Sequence, residues 1–188
     1  MSKTFNAKRT GTKVVTGKVR LSYAHLHEPQ AIEGAEPKYS VSLIIPKEDK
    51  STLKAIKEAI EEAKENAKSL WGGRIPANLK LPLRDGDEDR PDDEAYANSY
   101  FVNASSKRKP EIVDLKGRKD LGPDEVYSGC YARVSVNFYG FNVSGNRGIA
   151  CGLGNVQKLD DGEPLGGFSR AEDDFEFDNN DEDDGFLD

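Results

Sequence analysis

Tyr131, Arg133 and Tyr139 fall on one side of the stretch GCYARVSVNFYGFN, because Cys130, Ala132, Val134, Val136 and Phe138 alternate with them at a period of two. Lys18 and Arg20 alternate in the same way in VVTGKVRLSYAHL, and Lys107, Arg108 and Lys109 stand together in SSKRKP. Flat rings beside fixed cations have a specific chemical use. Unpaired bases stack on the rings, at roughly 1–3 kcal/mol each, while Lys and Arg neutralise the phosphates between them. Binding of this kind depends on salt and tolerates sequence changes. Tyr100 and Phe101 in SYFVNASS are further candidates for stacking, and Arg147 is a further phosphate contact. A simpler account exists for each residue alone: tyrosines cover a sheet face and lysines keep it in solution. Only their grouping on one expected surface favours a site.

Other chemistries find less support. His25 and His27 share a face at i, i+2, but no third ligand lies at a metal-binding spacing. DGDEDR resembles a calcium loop only in part, since Arg90 and Tyr96 stand where glycine and glutamate are required. There is no phosphate-binding glycine loop and no nucleophile elbow. The carboxylates concentrate in a loop and a tail, where nothing would hold two of them for acid–base work. No catalytic residue, metal or cofactor is expected. Cys130 and Cys151 are too few for a disulfide framework and read as buried free thiols in apolar strands.

The elements that must position these residues follow from periodicity. Residues 14–26 read as a half-buried strand with Val15, Val19, Leu21 and Tyr23 inward, and Gly17 marks a bulge or a close backbone approach. Tyr39, Val41, Leu43 and Ile45 form the inner row of a second strand, stopped at Pro46. From Glu48 to Trp71 the period becomes three to four, so Leu53, Ile56, Ile60, Ala63, Ala67 and Leu70 define an amphipathic helix ended by Gly72 and Gly73. Its Lys and Glu residues read as a solvated face, and Trp71 as packing. Residues 74–97 form the longest irregular stretch, a length that is usually functional or mobile. SYFVNASS and EIVDL then make a hairpin tipped by Lys107, Arg108 and Lys109, and the strand from Cys130 pairs back with RGIACGLGNVQKL. The fold expected is mainly β, an OB-fold-like antiparallel barrel of five to six strands with one helix plugging an open end.

Four regions are expected: a flexible basic arm over 1–13, the binding domain over 14–159, a linker over 160–170 and a disordered acidic tail over 171–188. The chain carries a net charge of −7, with 27 Lys+Arg and 34 Asp+Glu. Ten of those carboxylates lie in residues 171–188 with no base among them, so the first 170 residues are mildly basic. Self-repulsion and low apolar content keep such a tail from folding. Phe175, Phe177 and Phe186 are nevertheless threaded between its acids, with Asp181, Glu182, Asp183 and Asp184 as the densest run. Carboxylates in place of phosphates and phenyl rings in place of bases would let the tail occupy a nucleic-acid groove until displaced. No segment approaches the roughly 18 apolar residues of a membrane span, and the N-terminus lacks a signal-peptide core, so a soluble intracellular protein is expected.

LPLRDGDE, YFVNASSKRKPEIVD, SGCYARVSVNFYGF and GIACGLGNVQKLDDGEPLGG are phrases similar to those of phage proteins. Through them, nearly the whole chain resembles the single-stranded-DNA-binding proteins of tailed bacteriophages. That resemblance implies an OB-fold, sequence-independent coating of single strands in the host cytoplasm, self-association or cooperative assembly on DNA, and a tail that contacts phage replication or recombination proteins. Two features depart from the pattern: the chain ends GFLD instead of on phenylalanine, and the helix falls between the second and third strands. A reading from another class is an adaptor whose tail, or acidic segment 85–94, mimics DNA to occupy an enzyme without binding strands itself. A third, a nuclease, would need a ligand set that the sequence does not offer.

Overall fold

The computed structural model describes residues 5–31, 34–165 and Phe175. Strand β1 (Lys8–Thr10) turns into β2 (Lys13–Val15), so part of the expected basic arm belongs to the sheet. β3 (Val19–Gln30) and β4 (Lys38–Pro46) follow, then helix α1 (Lys50–Asn66), β5 (Arg84–Asp85) and the single-turn α2 (Gly86–Asp89). β6 (Ser99–Ser106), β7 (Ile112–Val113), β8 (Tyr131–Val143) and β9 (Asn146–Asp160) complete the order.

β8, β3, β4, β6 and β9 hydrogen-bond in that sequence, and β9 returns to β8, so five strands form a ring. The remaining four strands pair at its margins, giving nine where five or six were expected. The pairing is not wholly antiparallel: β6 meets β9 in parallel at Ser105 and Gly152, and β7 meets β9 in parallel. EIVDL therefore does not fold back on β6. No hairpin exists there for Lys107, Arg108 and Lys109 to tip; they lie exposed in a crossover between β6 and β7. Two short strand signals joined by a basic turn cannot specify which neighbour each strand takes.

The inner face carries the alternation expected of β8, with Cys130, Ala132, Val134, Val136 and Phe138 all at most 1% exposed. On the first strand the alternation breaks at Gly17. Val14 is buried and Val15 only half-buried, while Tyr23 adopts φ 47 and is exposed. Register shifts in the β3–β4 pair beyond Ser22 account for that reversal, since an extra residue turns the following side chains to the other face. At Gly17 the backbone does approach its neighbours closely, and its amide donates to Thr52 Oγ1 at 2.9 Å.

Helix α1 closes one end of the ring against β8 and the β1–β2 pair. Asp49 caps it, accepting from the Thr52 amide at 3.0 Å and the Thr52 hydroxyl at 2.7 Å. Leu53, Ile56, Ile60 and Ala63 are buried as their spacing predicts. The α-helix stops at Asn66, earlier than expected, and Lys68–Trp71 tighten into a 3₁₀ turn ended by Gly72 at φ 74. Leu70 is exposed, while Trp71, four residues beyond buried Ala67, is buried and donates its indole N–H to the Phe141 carbonyl at 3.1 Å.

The stretch 74–97 is folded over the ring. Tyr96, completely buried, joins Phe101 and Ile44 in a small cluster on the outer side of β4 and β6, with Ala95 and Leu165 packed against it. The Tyr96 hydroxyl bonds to Ser42 Oγ at 3.0 Å, and the Arg90 guanidinium lies 5.1 Å from the Tyr23 ring, 5.0 Å from Tyr96 and 5.5 Å from Phe101. Lys47 ties the segment down through Asp85 at 3.0 Å and Asp87 at 2.8 Å.

Candidate nucleic-acid interface

Tyr131 opens β8 opposite Arg20 of β3, and both project from the outer face. The Lys18 ammonium lies 5.0 Å and the Arg20 guanidinium 5.6 Å from the centre of the Tyr131 ring. Cations over an aromatic face are held there by the ring quadrupole. These three side chains line a concavity of about 240 Å³, floored by Ile44, Pro46, Ala95 and Ser99. A ring, two cations and an apolar floor can accept a stacked base and its phosphate.

The cations have structural duties as well. Lys18 pairs with Asp160 at 2.6 Å. Arg20 donates to the Gly129 carbonyl at 3.0 Å and the Glu163 carbonyl at 2.7 Å, so residues 161–165, expected in the linker, lie against the site. Gly129, at φ +112, packs backbone on backbone against Glu163, and Gly162 against Gly129 and the Tyr131 ring; a Cβ at either position would collide. The Leu165 amide donates to the Ser128 carbonyl at 3.0 Å. Tyr127 receives the Gly162 amide at 3.2 Å and also bonds Asp161 at 3.0 Å. The ammonium of Lys158 and the hydroxyl of Tyr127, both bonded to Asp161, hold its carboxyl below the usual carboxylate range.

The other candidates separate into groups. Arg133 donates to the carbonyls of Thr16 at 2.9 Å and Asn6 at 3.1 Å, and lies 5.1 Å from the Phe5 ring, so it pins the N-terminal segment. Phe101 is 1% exposed beneath Tyr96 and offers no face for stacking in this conformation. Tyr139 is exposed, but eight residues separate it from Tyr131, about 26 Å of strand. It shares the outer part of the β8–β9 hairpin with Arg147, which pairs with Asn142. Lys107 pairs with Glu36, and Lys107, Arg108 and Lys109 follow the end of β6 remote from Ser99. Tyr100 is half-buried beside α1 with the ammonium groups of Lys47 and Lys57 at 5.3 and 5.7 Å from its ring. Of the tail candidates Phe175 is exposed; Phe177, Asp181, Glu182, Asp183, Asp184 and Phe186 lie outside the described residues.

Sequence reasoning missed Lys47, Lys50, Lys54 and Lys57, which line a concavity of about 460 Å³ with Tyr100. Their signal was the spacing of Lys50, Lys54 and Lys57 at i, i+4 and i+7, which places three cations on one helical row. No group of three or more His, Cys, Asp or Glu among the described residues could hold a metal ion.

Residues 12–187 match the family described as Enterobacter phage Enc34, ssDNA-binding protein. The chain belongs to this family. Protein p50 of Acyrthosiphon pisum secondary endosymbiont phage 1 is 30% identical over 166 residues, covering 82% of this chain and 87% of its own. The bacteriophage Enc34 single-stranded-DNA-binding protein, solved in complex with single-stranded DNA, superposes with a TM-score of 0.75 at 28% identity. That match covers 88% of this chain and all of the Enc34 chain. The single-stranded-DNA-binding protein gp2.5 of bacteriophage T7 shares the fold, with a TM-score of 0.54 at 14% identity over 84% of this chain and 97% of its own.

Proposed function

We propose that this protein coats single-stranded DNA without base specificity during phage DNA replication, recombination or repair in the host cytoplasm. The observation that carries the reading is the half-buried Tyr131 ring flanked by Lys18 and Arg20 at the mouth of an open concavity. The family membership and the DNA complex of the Enc34 protein support it. No catalytic group takes part.

The ring β3–β4–β6–β9–β8 has the strand count of an OB-fold barrel, in which the face of the second and third strands carries oligonucleotides. Here the corresponding face, on β4 and β6, is covered by Tyr96 and Arg90. The strand then enters at the uncovered edge, on Tyr131. Tyr139, farther along the outer row of β8, and Arg147 on the paired strand β9 serve longer strands.

The acidic tail acts as an internal competitor for this site and as the contact for replication or recombination proteins. Support comes from Leu165 and Gly162, which bring the chain to Tyr131 before the carboxylates begin at Glu172. The adaptor reading loses part of its basis, because Asp85 and Asp87 are engaged by Lys47 and Asp89 by Arg84 at 2.7 Å.

Fluorescence anisotropy with labelled oligonucleotides on the full chain and on a chain ending at Arg170 tests the reading. Both bind at low salt, the shorter one more tightly, with affinity falling steeply as salt rises. Failure of both to bind overturns it in favour of the adaptor.

A further inference from the structure

Lysines 50, 54 and 57 occupy an unfavourable place. Lys50 opens α1, whose first turn contains no acidic residue although the helix dipole favours anions there, and Lys54 and Lys57 follow on the same helical row. Further along, the same helix follows the usual rule, with Lys64 paired to Glu61, Lys68 to Glu65, and Glu58 and Glu62 facing Arg9. Among the described residues Lys50, Lys54 and Lys57 form no ion pair, and all three are exposed. The Lys57 ammonium contacts the Tyr100 ring at 5.7 Å, and unpaired cations at a helix start are a feature that function can explain. Asp49 already caps the backbone amides of the helix start, so it is the lysine side chains and not the helix end that await an anion.

The lysines form one wall of the concavity of about 460 Å³ whose aromatic member is Tyr100; Glu58 also lines it, and its carboxylate is engaged by Arg9 at 3.7 Å. Its position relative to Tyr131 is set by strand register. Pro46 pairs with Ser99, and both line the Tyr131 concavity; Ile45 pairs with Tyr100, and Lys47 and Tyr100 line the lysine concavity. The two hollows thus meet at adjacent residues on β4 and β6, one on the outer face and one over the rim beside α1. From Lys50 to Lys57 the helix advances about 10 Å, so the cations form a short track leading away from that rim.

Resting on the function proposed above, we infer that the bound single strand turns over the rim at Pro46 and Ser99. It continues along α1, with a second base against Tyr100 and its phosphates on Lys50, Lys54 and Lys57. DNA is favoured over an acidic peptide because the hollow pairs an aromatic ring with the cations and because its Lys47 and Tyr100 adjoin Pro46 and Ser99 of the Tyr131 site. Lys47, held by Asp85 and Asp87, fixes the near wall.

The test uses the full chain carrying Lys50→Gln, Lys54→Gln and Lys57→Gln together. A control carries Lys13→Gln, Lys116→Gln and Lys119→Gln, which remove the same charge from exposed positions elsewhere. Binding is measured against salt for a short oligonucleotide and for one several times longer, alongside Tyr131→Ala. The inference expects the helix variant to bind the long strand at least tenfold more weakly than the control. Its slope of log affinity against log salt should be lower by about 2, at roughly 0.7 for each lost phosphate contact. Binding of the short strand should match the control. An unchanged slope and affinity in the helix variant, with Tyr131→Ala still weakened, overturns the second track and leaves the proposed function standing. Tighter binding by the helix variant than by the control overturns it differently, since the lysines would then hold the acidic tail. Absence of binding by the unsubstituted chain removes the function and the inference together.

Discussion

Tyr96 sets the edge of its ring against Phe101, centroids 5.0 Å apart and planes at 83°, and so converts a sheet residue that could have met a base into part of a small second core. The contact holds residues 86–97 across the outer face of β4 and β6. Replacing Tyr96 with alanine should cost about 3 kcal/mol or more, as for large aromatic truncations in cores. Tyr96→Phe removes only the hydroxyl bonded to buried Ser42 and should cost about 1 kcal/mol. Urea unfolding of both variants checks the ordering; equal losses would mean that the hydrogen bond and not the packing secures the segment.

Exposure separates the aromatic candidates. Tyr131→Ala should weaken single-strand binding by roughly 1–3 kcal/mol, the range for one lost stack. Tyr139→Ala should leave a short oligonucleotide unaffected and weaken a long one. Phe101→Leu should lower stability with little change in affinity for either. Anisotropy titrations of the three variants with both lengths decide the assignment.

The Lys47 clamp has a predictable response to acid. The Lys47 ammonium, and after it the Asn98 amide, hold the Asp87 carboxyl below its ordinary value of 3.8. A carboxylate with a lowered value contributes its stabilisation fully above the ordinary value and loses it as pH falls through the lowered one. Amide exchange at Asn98, corrected for its intrinsic pH dependence, should therefore stay constant above about pH 4 and accelerate below it. Asp87→Asn keeps an acceptor for the amide but removes the charge, and should abolish that acid-dependent step. Lys47 itself is raised above its ordinary 10.5 by Asp87 and Asp85, so its side of the pair is present throughout the neutral range and is lost only in strong alkali.

Burial pushes the thiols of Cys130 and Cys151 up, which keeps them protonated at neutral pH. A thiol reagent should label neither residue in the folded protein and both in denaturant, because the thiolate is the reacting form. Labelling at the same rate with and without denaturant would contradict the burial of β8 and β9.

Strand alternation made β8 legible from sequence: five inward residues and their outward partners lie where the period of two places them. The helix was legible over Leu53 to Ala63 for the same kind of reason, and Trp71 was rightly assigned to packing. What failed was non-local. The partner of Ile112 and Val113 is set by tertiary packing on β9, which a short apolar run cannot reveal. Residues 74–97 looked irregular because they are held by side-chain contacts such as Lys47 with Asp87 and Tyr96 with Ser42, and not by a periodic backbone pattern. The candidate site was legible as a mixture of rings and cations. Which of them meet depended on register: Arg20 stands opposite Tyr131, whereas Tyr139 is carried far along the strand. The lysines of α1 read from sequence as part of a solvated face, and they are exposed; that Glu58 and Glu62 face Arg9 depends on the tertiary position of β1, which the helix pattern does not contain.

The backbone packing of Gly129 against Glu163, and of Gly162 against Gly129, has a quantitative consequence for the tail competition proposed at Tyr131. It fixes the point from which the acidic segment departs, with Glu172 only seven residues beyond Leu165. A competitor tethered that closely is present at a local concentration on the order of millimolar, however dilute the protein is. Dilution therefore cannot unmask the site, and only a rise in the amount or length of single strand can. Under the competition proposed above, the two glycines would make the protein respond to strand abundance and not to its own dilution.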